Sequence, residues 1–165
     1  MKRTAILGIG SPFGDDRAGW LVIDTLQASL DEHERASAGL TLAALDRPGA
    51  ELLEHLRGAD RAVLIDAVRD AGAPGAVVRL DPAQLEATVH VSSHGLGVAE
   101  ALALGAALQA LPPEFTVLGI ATDGDPRRTD MSVAVQGAAL HLARELQRWI
   151  RDGAACQREF WPTAR

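Results

Sequence analysis

Residues 4–16 read TAILGIGSPFGDD, and this stretch predicts how the chain begins to fold. The apolar run at residues 4–9 is rich in β-formers and is predicted to be a buried strand. The glycine-rich residues 10–14 are predicted to form a turn. Asp15 is then placed to cap a helix, with Asp16 in the first turn of that helix. Strand, tight turn and helix in this order are typical of an α/β protein.

The rest of the chain continues the alternation of strands and helices. Apolar runs predict further strands at residues 40–45, 62–68, 75–80 and 115–121. Helical spacing of apolar residues predicts helices at 18–30, 50–56, 94–111 and 131–149, with a polar connection at 31–39 and loops at 46–49 and 123–128. We therefore expect an α/β fold. It would be a single three-layer domain over residues 1–165, with a mostly parallel, five-stranded twisted sheet, helices on both faces and a loosely held polar tail from about residue 152.

Composition excludes several classes of function. The net charge is −6, which argues against nucleic acid as a partner because phosphate binding requires a basic surface. The single cysteine, Cys156, permits neither an internal disulfide nor a cysteine-based zinc site. The apolar run after the initial Met-Lys-Arg is too short for a secretory signal or a membrane span. We expect a cytoplasmic protein without a membrane or disulfide partner.

Three polar residues follow predicted strands at positions where parallel sheets carry their binding sites. Asp16 follows the first strand, Asp66 lies at the end of the third, and His94 precedes a later helix. The carboxyl ends of parallel strands meet at one edge of the sheet, so these side chains are expected to converge. Two carboxylates and an imidazole suit a borderline divalent metal such as nickel, zinc, iron or manganese.

Each of these residues also has a structural interpretation. Asp15 is most simply a helix cap, and Asp16 favours the dipole of the same helix. His94, taken alone, is more often a structural histidine. Asp66 is the hardest to explain structurally, because a carboxylate in a buried strand costs free energy unless it is paired or binds a ligand.

A nucleotide-binding site is the alternative interpretation of the first turn. Gly8, Gly10 and Gly14 follow a strand and open a helix, and Asp46 ends the second strand, where a ribose-binding acid would lie. A pyrophosphate would bind at the helix N-terminus, where Asp15 and Asp16 would repel it. We therefore rank this interpretation below a metal site.

With these motifs identified, the sequence resembles the nickel–iron hydrogenase maturation endopeptidases from residue 4 to about residue 150. The matching segments, in order, are LGIGSPFGDDRAG (7–19), LIDAV (64–68), SSHGLGVAEAL (92–102), FTVLGIATD (115–123) and MSVAVQGAAL (131–140). The resemblance implies nickel binding and catalysis through Asp16, Asp66 and His94. The first turn is one residue shorter than usual and carries Ser11 in place of asparagine, which leaves Asp15 as the alternative ligand.

The resemblance also implies a substrate and a mode of recognition. The substrate would be the precursor of a hydrogenase large subunit, from which an aspartic-type or nickel-dependent endopeptidase removes a short C-terminal extension. Nickel would be carried by the substrate rather than permanently bound. Asp15 and the loop residues Asp46, Arg47 and Gly49 would contact the substrate. The loop departs from the family's glycine-rich pattern, so the particular hydrogenase stays open.

Two rival functions use the same residues. A non-proteolytic nickel-binding assembly factor would need the same three ligands, although the chain lacks the histidine-rich tract of a nickel store. A metallohydrolase acting on small molecules would retain its own metal after purification. A protein whose three ligands are completed by the substrate would not retain it.

Overall fold

The computed structural model describes residues 2–81, 97–125 and 127–152 of the chain. In these ranges the strands are β1 (Thr4–Gly10), β2 (Leu40–Asp46), β3 (Arg61–Arg69), β4 (Val77–Leu80) and β5 (Glu114–Thr122). The helices are α1 (Ala18–Ser29), α2 (Glu32–Ser37), α3 (Leu52–Leu56), α4 (Val98–Ala107) and α5 (Val133–Arg151), with a 3-10 turn at Gly14–Arg17. None of these helices has the length and apolar character needed to cross a membrane.

The five strands form one sheet in the order β2-β1-β3-β5-β4. The first four strands in this order are parallel, and β4 pairs antiparallel with β5 at the edge. The chain moves from β1 to one side to form β2 and then to the other side to form β3. The switch point between β1 and β3 is where open α/β sheets form their binding crevice. The predicted mostly parallel α/β fold is confirmed.

Two apolar layers cover the sheet, one on each face. Helices α1 and α5 pack on one face, around Ile6, Ile65 and Leu142. Helices α3 and α4 pack on the other, around Leu7, Leu64 and Leu102. Nearly all of β1 and β3 is buried, which explains why both read as continuous apolar runs rather than as alternating ones.

Several predicted elements differ from the observed ones. The predicted polar connection at 31–39 contains α2, which begins with a capping box: the Glu34 N–H donates to Asp31 and the Asp31 N–H donates to Glu34. The helix predicted at 94–111 ends at Ala107, because the chain turns through a left-handed Gln109 (φ 52°) ahead of two prolines. Residues 94–96 and the tail beyond Asp152 lie outside the described residues. The last helix begins at Val133, two residues after Met131, and Ser132 caps it.

Helix α1 packs directly on the backbone of β1, and only glycine permits this contact. A Cβ atom on Gly19 would lie 2.2 Å from the Ile9 carbonyl oxygen and 2.7 Å from that of Ile65. A Cβ atom on Gly8 would lie 2.1 Å from the Gly19 carbonyl oxygen. This close approach fixes where the turn between β1 and α1 lies above the sheet.

Replacing Gly19 with alanine is therefore expected to destabilise the fold. Because backbone atoms must move to admit the methyl group, we expect a loss of about 1–3 kcal/mol in the free energy of unfolding. Gly137 is the matched control: it lies within α5 and a Cβ atom there meets nothing within 4 Å. Gly137→Ala should be neutral or stabilising by up to about 1 kcal/mol. Urea unfolding of both variants tests this, and equal effects at the two positions would contradict it.

Candidate active site

The carboxyl edge of the sheet, at β1, β2 and β3, carries several of the predicted site residues, among them Asp16, Asp46 and Asp66. Asp46 is the last residue of β2 and is paired in register with Gly10, the last residue of β1. Asp66 follows Ile65, the last β3 residue that pairs with β1. It therefore lies within β3, three residues before the strand ends, where its neighbour β1 has turned away. This places it at the switch point of the sheet.

Asp66 is a buried carboxyl group inside a strand. Side chains alternate along a strand, so Asp66 lies on the face of Leu64, which is packed against α3 and α4. It is 6% exposed, and its β5 neighbour in register is Gly119, which has no side chain to offer. Its hydrogen bond within the described residues comes from the Ala67 N–H, at 2.8 Å.

Burial raises the pKa of Asp66 to about 7, and the nearby negative charge of Asp16 adds to the rise, while the Ala67 N–H opposes it. Without a ligand, Asp66 is thus protonated below neutral pH and ionises near it. A buried carboxyl group in this state gains from any cation that reaches it.

Asp16 lies beside Asp66 and is half-buried. Its carboxylate accepts a hydrogen bond from the Ser11 hydroxyl at 3.2 Å, and its backbone carbonyl accepts one from the Ser11 N–H at 3.3 Å. Gly10 permits this tight fold, because a Cβ atom there would lie 2.3 Å from the Asp16 carbonyl oxygen. The charge of Asp16 acts on both Asp66 and Arg47, so it lies near both of them.

Asp15 has a different environment from its neighbour. It is buried, and its carboxylate accepts hydrogen bonds from the Thr122 hydroxyl (2.8 Å), the Ser132 N–H (2.6 Å) and the Ser132 hydroxyl (3.1 Å). The predicted role as N-cap of α1 is wrong: the residue before α1 is Arg17, and no side chain caps that helix. Asp15 instead ties the first turn to the end of β5 and the start of α5. Its predicted contact with substrate stays a prediction, and its engaged oxygens favour a structural role.

Removing the Asp15 carboxylate is expected to cost stability. Asp15→Ala leaves the Ser132 N–H and the Thr122 hydroxyl without their acceptor, and hydrogen bonds to charged groups contribute about 1.5–3 kcal/mol each. We expect a loss of about 3 kcal/mol in the free energy of unfolding. Asp24→Ala, at an exposed position of α1, is the control and should change it by less than about 0.5 kcal/mol. Urea unfolding of Asp15→Ala within that smaller range would contradict the structural role.

The loop after β2 brings a second charged pair to the same edge. The Arg47 Nε donates to Asp46 at 2.7 Å, and the Arg47 N–H donates to the Gly10 carbonyl at 3.2 Å. This pairing lowers the pKa of Asp46; it also raises the pKa of Arg47, to which the charge of Asp16 adds. Gly49 accepts a backbone hydrogen bond from Leu52 and so opens α3. Asp46 and Arg47 are exposed and border the site, as a substrate-contacting loop would require.

His94 lies outside the described residues, as do Ser92, Ser93 and Cys156. Within the described ranges, no group of three His, Cys, Asp or Glu side chains is arranged to hold a metal ion. The described part of the predicted ligand set is therefore the Asp16–Asp66 pair. The three-residue set with His94 stays a prediction.

The turn after β1 does not offer the free amides of a nucleotide site. The Gly14 N–H donates to the Thr129 carbonyl and the Asp16 N–H donates to the Phe13 carbonyl. A pyrophosphate bound at a helix N-terminus would need such donors, and here Asp15 and Asp16 occupy the approach. The geometry thus disfavours the nucleotide interpretation of the glycine pattern.

A cavity of about 240 Å³ opens next to Asp16. Its lining includes Asp16, Phe13 and three arginines, at positions 47, 69 and 128. The sequence patterns did not single out Arg69 or Arg128. The available signal was their position, because Arg69 ends β3 and Arg128 follows β5, and both strands end at the edge that carries the site.

The fold matches solved structures of hydrogenase maturation proteins over most of the chain. The E. coli hydrogenase maturating endopeptidase HybD is 21% identical, with 91% of this chain and 93% of that one covered and a TM-score of 0.71. The [NiFe] hydrogenase maturation protease HybD from Thermococcus kodakarensis is 27% identical, covering 88% and 99%, with a TM-score of 0.62. HycI from the same organism is 20% identical, covering 91% and 93%, with a TM-score of 0.68. These chains define the structural class, an α/β fold used by maturation proteases.

Sequence comparison assigns the family. The hydrogenase maturation protease (HycI) family model matches residues 25–149. The chain therefore belongs to the hydrogenase maturation protease family, and the predicted resemblance is confirmed. The matched range includes positions 66 and 94 and begins after the turn that carries Asp16. No curated protein sequence matches the chain.

Proposed function

We propose that this protein is an endopeptidase that removes a short C-terminal extension from the precursor of a nickel–iron hydrogenase large subunit. Cleavage follows nickel insertion, and the nickel carried by the precursor is the recognition element. Family membership supports the class of reaction. The observation that carries the proposal is the buried Asp66 carboxyl group, held next to Asp16 at the switch point with one backbone N–H as its described partner.

The chemistry of these residues fits a nickel ion delivered by a substrate. Carboxylate oxygens from Asp16 and Asp66, together with an imidazole nitrogen from His94, form a donor set suited to a borderline divalent metal. Three ligands leave coordination positions for the substrate's own donors. Among the described residues, the Asp16 side chain accepts one hydroxyl and that of Asp66 one N–H, which leaves further lone pairs for a cation.

The raised pKa of Asp66 supports recognition that depends on nickel. A buried Asp66 must lose its proton before it can act as a ligand, and a cation offsets the cost of that ionisation. A precursor without nickel leaves two neighbouring carboxyl groups with no cation between them. Asp66 therefore favours the nickel-loaded precursor over the empty one, because its buried carboxyl group is unfavourable beside Asp16 when no cation is bound.

Asp16 is our first choice for the general base that activates water at the scissile bond. It is half-buried, is oriented by the Ser11 hydroxyl, and borders the cavity where a peptide can lie. Nickel polarisation of the scissile carbonyl is the second route to the same product. In both routes Asp46, Arg47 and Gly49 contact the precursor around the scissile bond, and the reaction takes place in the cytoplasm.

The test is the mass of a large-subunit precursor purified from nickel-replete cells, after incubation with this protein. Wild-type protein and the exposed-site control Asp24→Asn should both remove the extension, whereas Asp16→Asn, Asp66→Asn and His94→Ala should not. Binding of the loaded precursor without any loss of mass would instead favour the nickel-binding assembly factor. Metal retained by the purified protein together with hydrolysis of small amides would favour the metallohydrolase.

A further inference from the structure

The cavity beside Asp16 contains cationic groups that the proposed cleavage reaction does not use. Arg69 ends β3 and Arg128 follows β5; both line the cavity, and neither belongs to the loop residues already assigned to substrate contact. Three arginines and three aspartates, Asp15, Asp16 and Asp125, line the same cavity. Ion pairs with carboxylates decide which of the arginine charges is available to a ligand.

Ion pairing among the described residues leaves Arg69 unmatched. Arg47 pairs with Asp46, and the Arg128 Nη2 lies 2.8 Å from the Asp123 carboxylate. The Arg128 Nε is buried and has no hydrogen-bond partner within the described ranges. In the same part of the chain, Arg69 makes no hydrogen bond and no ion pair. Among the described residues, Arg69 is therefore a guanidinium group without a hydrogen-bond or ion-pair partner, and Arg128 keeps a buried Nε–H donor that is not used.

Each of these two arginines lies in close contact with the backbone of a glycine. A Cβ atom on Gly124 would lie 2.5 Å from the Arg69 Nε, so the Arg69 side chain lies against a bare stretch of backbone. Gly124 has a φ of 65°, a conformation that other residues rarely adopt. A Cβ atom on Gly14 would likewise lie 2.7 Å from the Arg128 carbonyl oxygen. The exposed Arg69 side chain therefore contacts the Gly124 backbone, and the backbone of Arg128 packs against the first turn.

We propose that Arg69 and Arg128 form a subsite for a carboxylate on the C-terminal extension that is to be removed. This inference rests on the proposed function and assigns the part of the precursor that occupies the cavity. A guanidinium group binds a carboxylate through paired N–H donors. Asp16 and Asp125 also line the cavity, so a doubly charged phosphate would be repelled more strongly than a carboxylate. Phe13, which is 65% exposed at the same cavity, provides an apolar wall for the residue that carries the carboxylate.

Asp16 links this subsite to the reaction. It lies near Asp66, on which its charge acts, and it also lines the cavity. A precursor whose nickel lies at the acid pair would therefore direct the residues that follow the scissile bond into the cavity. Binding the extension's carboxylate aligns the chain across the site, which makes Arg69 a specificity-determining residue rather than a catalytic one.

Cleavage kinetics of the loaded precursor test the subsite. Arg69→Gln should raise KM about tenfold or more while kcat stays within about twofold, and Arg69→Lys should lie between it and wild type because it keeps the charge without the paired donors. Arg79→Gln, which removes an exposed charge from β4 outside the cavity, is the matched control and should behave as wild type. A precursor with amides in place of the extension's acidic side chains, and a second with an amidated C-terminus, identify which carboxylate is bound. When the bound carboxylate is the one that has been neutralised, wild type and Arg69→Gln should cut that precursor equally well.

A binding measurement separates failure of the subsite from failure of the proposed function. N-acetyl-trialanine with a free carboxylate should shift the Arg69 and Arg128 Nε–Hε signals in NMR spectra of the wild-type protein, and its amide should not. Peptide-induced shifts without cleavage of any precursor would sustain the subsite and reject the endopeptidase. Two results would overturn the subsite while leaving the endopeptidase intact. Arg69→Gln could cleave as well as Arg79→Gln, or it could lose rate equally on the charged and the neutralised precursors.

Discussion

Asp66→Asn is expected to abolish cleavage while making the folded protein more stable at pH 8. The variant removes a ligand to the substrate's nickel, so we expect the rate of precursor cleavage to fall at least about 100-fold. It also removes the cost of ionising a buried carboxyl group. One pKa unit corresponds to about 1.4 kcal/mol. The rise in the Asp66 pKa from 3.8 to about 7 therefore lowers the free energy of unfolding at pH 8 by at most about 4 kcal/mol.

The sign of the stability change depends on pH. The folded state holds the Asp66 proton more tightly than the unfolded chain does, so its contribution is greatest below pH 4 and is lost as pH rises to about 7. The amide of the Asp66→Asn variant does not titrate, and it keeps an acceptor for the Ala67 N–H. The difference in unfolding free energy between variant and wild type should therefore grow from pH 4 to pH 7 and then level off. Urea unfolding across this range measures it, and a variant that is less stable at pH 8, or a difference independent of pH, would contradict the burial argument.

Asp16→Asn is expected to lose cleavage without losing stability. The amide keeps the size of the side chain and can still accept the Ser11 hydroxyl, but it cannot act as a base and is a poorer metal ligand. We expect cleavage to fall about 10²–10⁴-fold, the usual range for loss of a general base. The melting temperature should stay within about 2 °C of wild type, since the group is half-buried and makes no other described side-chain hydrogen bond.

The neighbouring acid provides the contrast for this experiment. Asp15→Asn keeps one of the two oxygens that accept hydrogen bonds from Thr122 and Ser132, so it should lower the melting temperature. It should retain cleavage at temperatures where the variant is folded. This pattern is the reverse of the one expected for Asp16→Asn. If Asp15→Asn lost cleavage and Asp16→Asn retained it, the ligand assignment would move to Asp15, the alternative that the shortened turn leaves open.

Much of the fold followed from patterns that are local in the sequence. The apolar runs of β1 and β3 are buried on both faces, so continuous hydrophobicity identified them without help from distant residues. Asp66 stood out for the same reason, as one carboxylate inside an apolar run. Helix α2 was missed although its capping box, Asp31 and Glu34, is also local, because the polar residues around it buried no apolar face.

The features that could not be predicted depend on contacts between distant parts of the chain. Asp15 and Asp16 are adjacent in sequence, and what separates their roles is the contact of Asp15 with Thr122 and Ser132, more than 100 residues away. The arginine-lined cavity likewise requires that the ends of β3 and β5 be neighbours, which follows from strand order rather than from either strand alone. Neither arrangement can be recognised from the residues that are adjacent in the sequence.

We propose that this protein cleaves a precursor only when nickel is present in it, and two forms of one substrate test this requirement. Hydrogenase large-subunit precursor is prepared in nickel-loaded and nickel-free forms, incubated with the wild-type protein, and analysed by intact mass spectrometry. We expect a loss of mass equal to the C-terminal extension from the loaded form and no change in the empty one. Equal cleavage of both forms would contradict nickel as the recognition element, and cleavage of neither would contradict the endopeptidase itself.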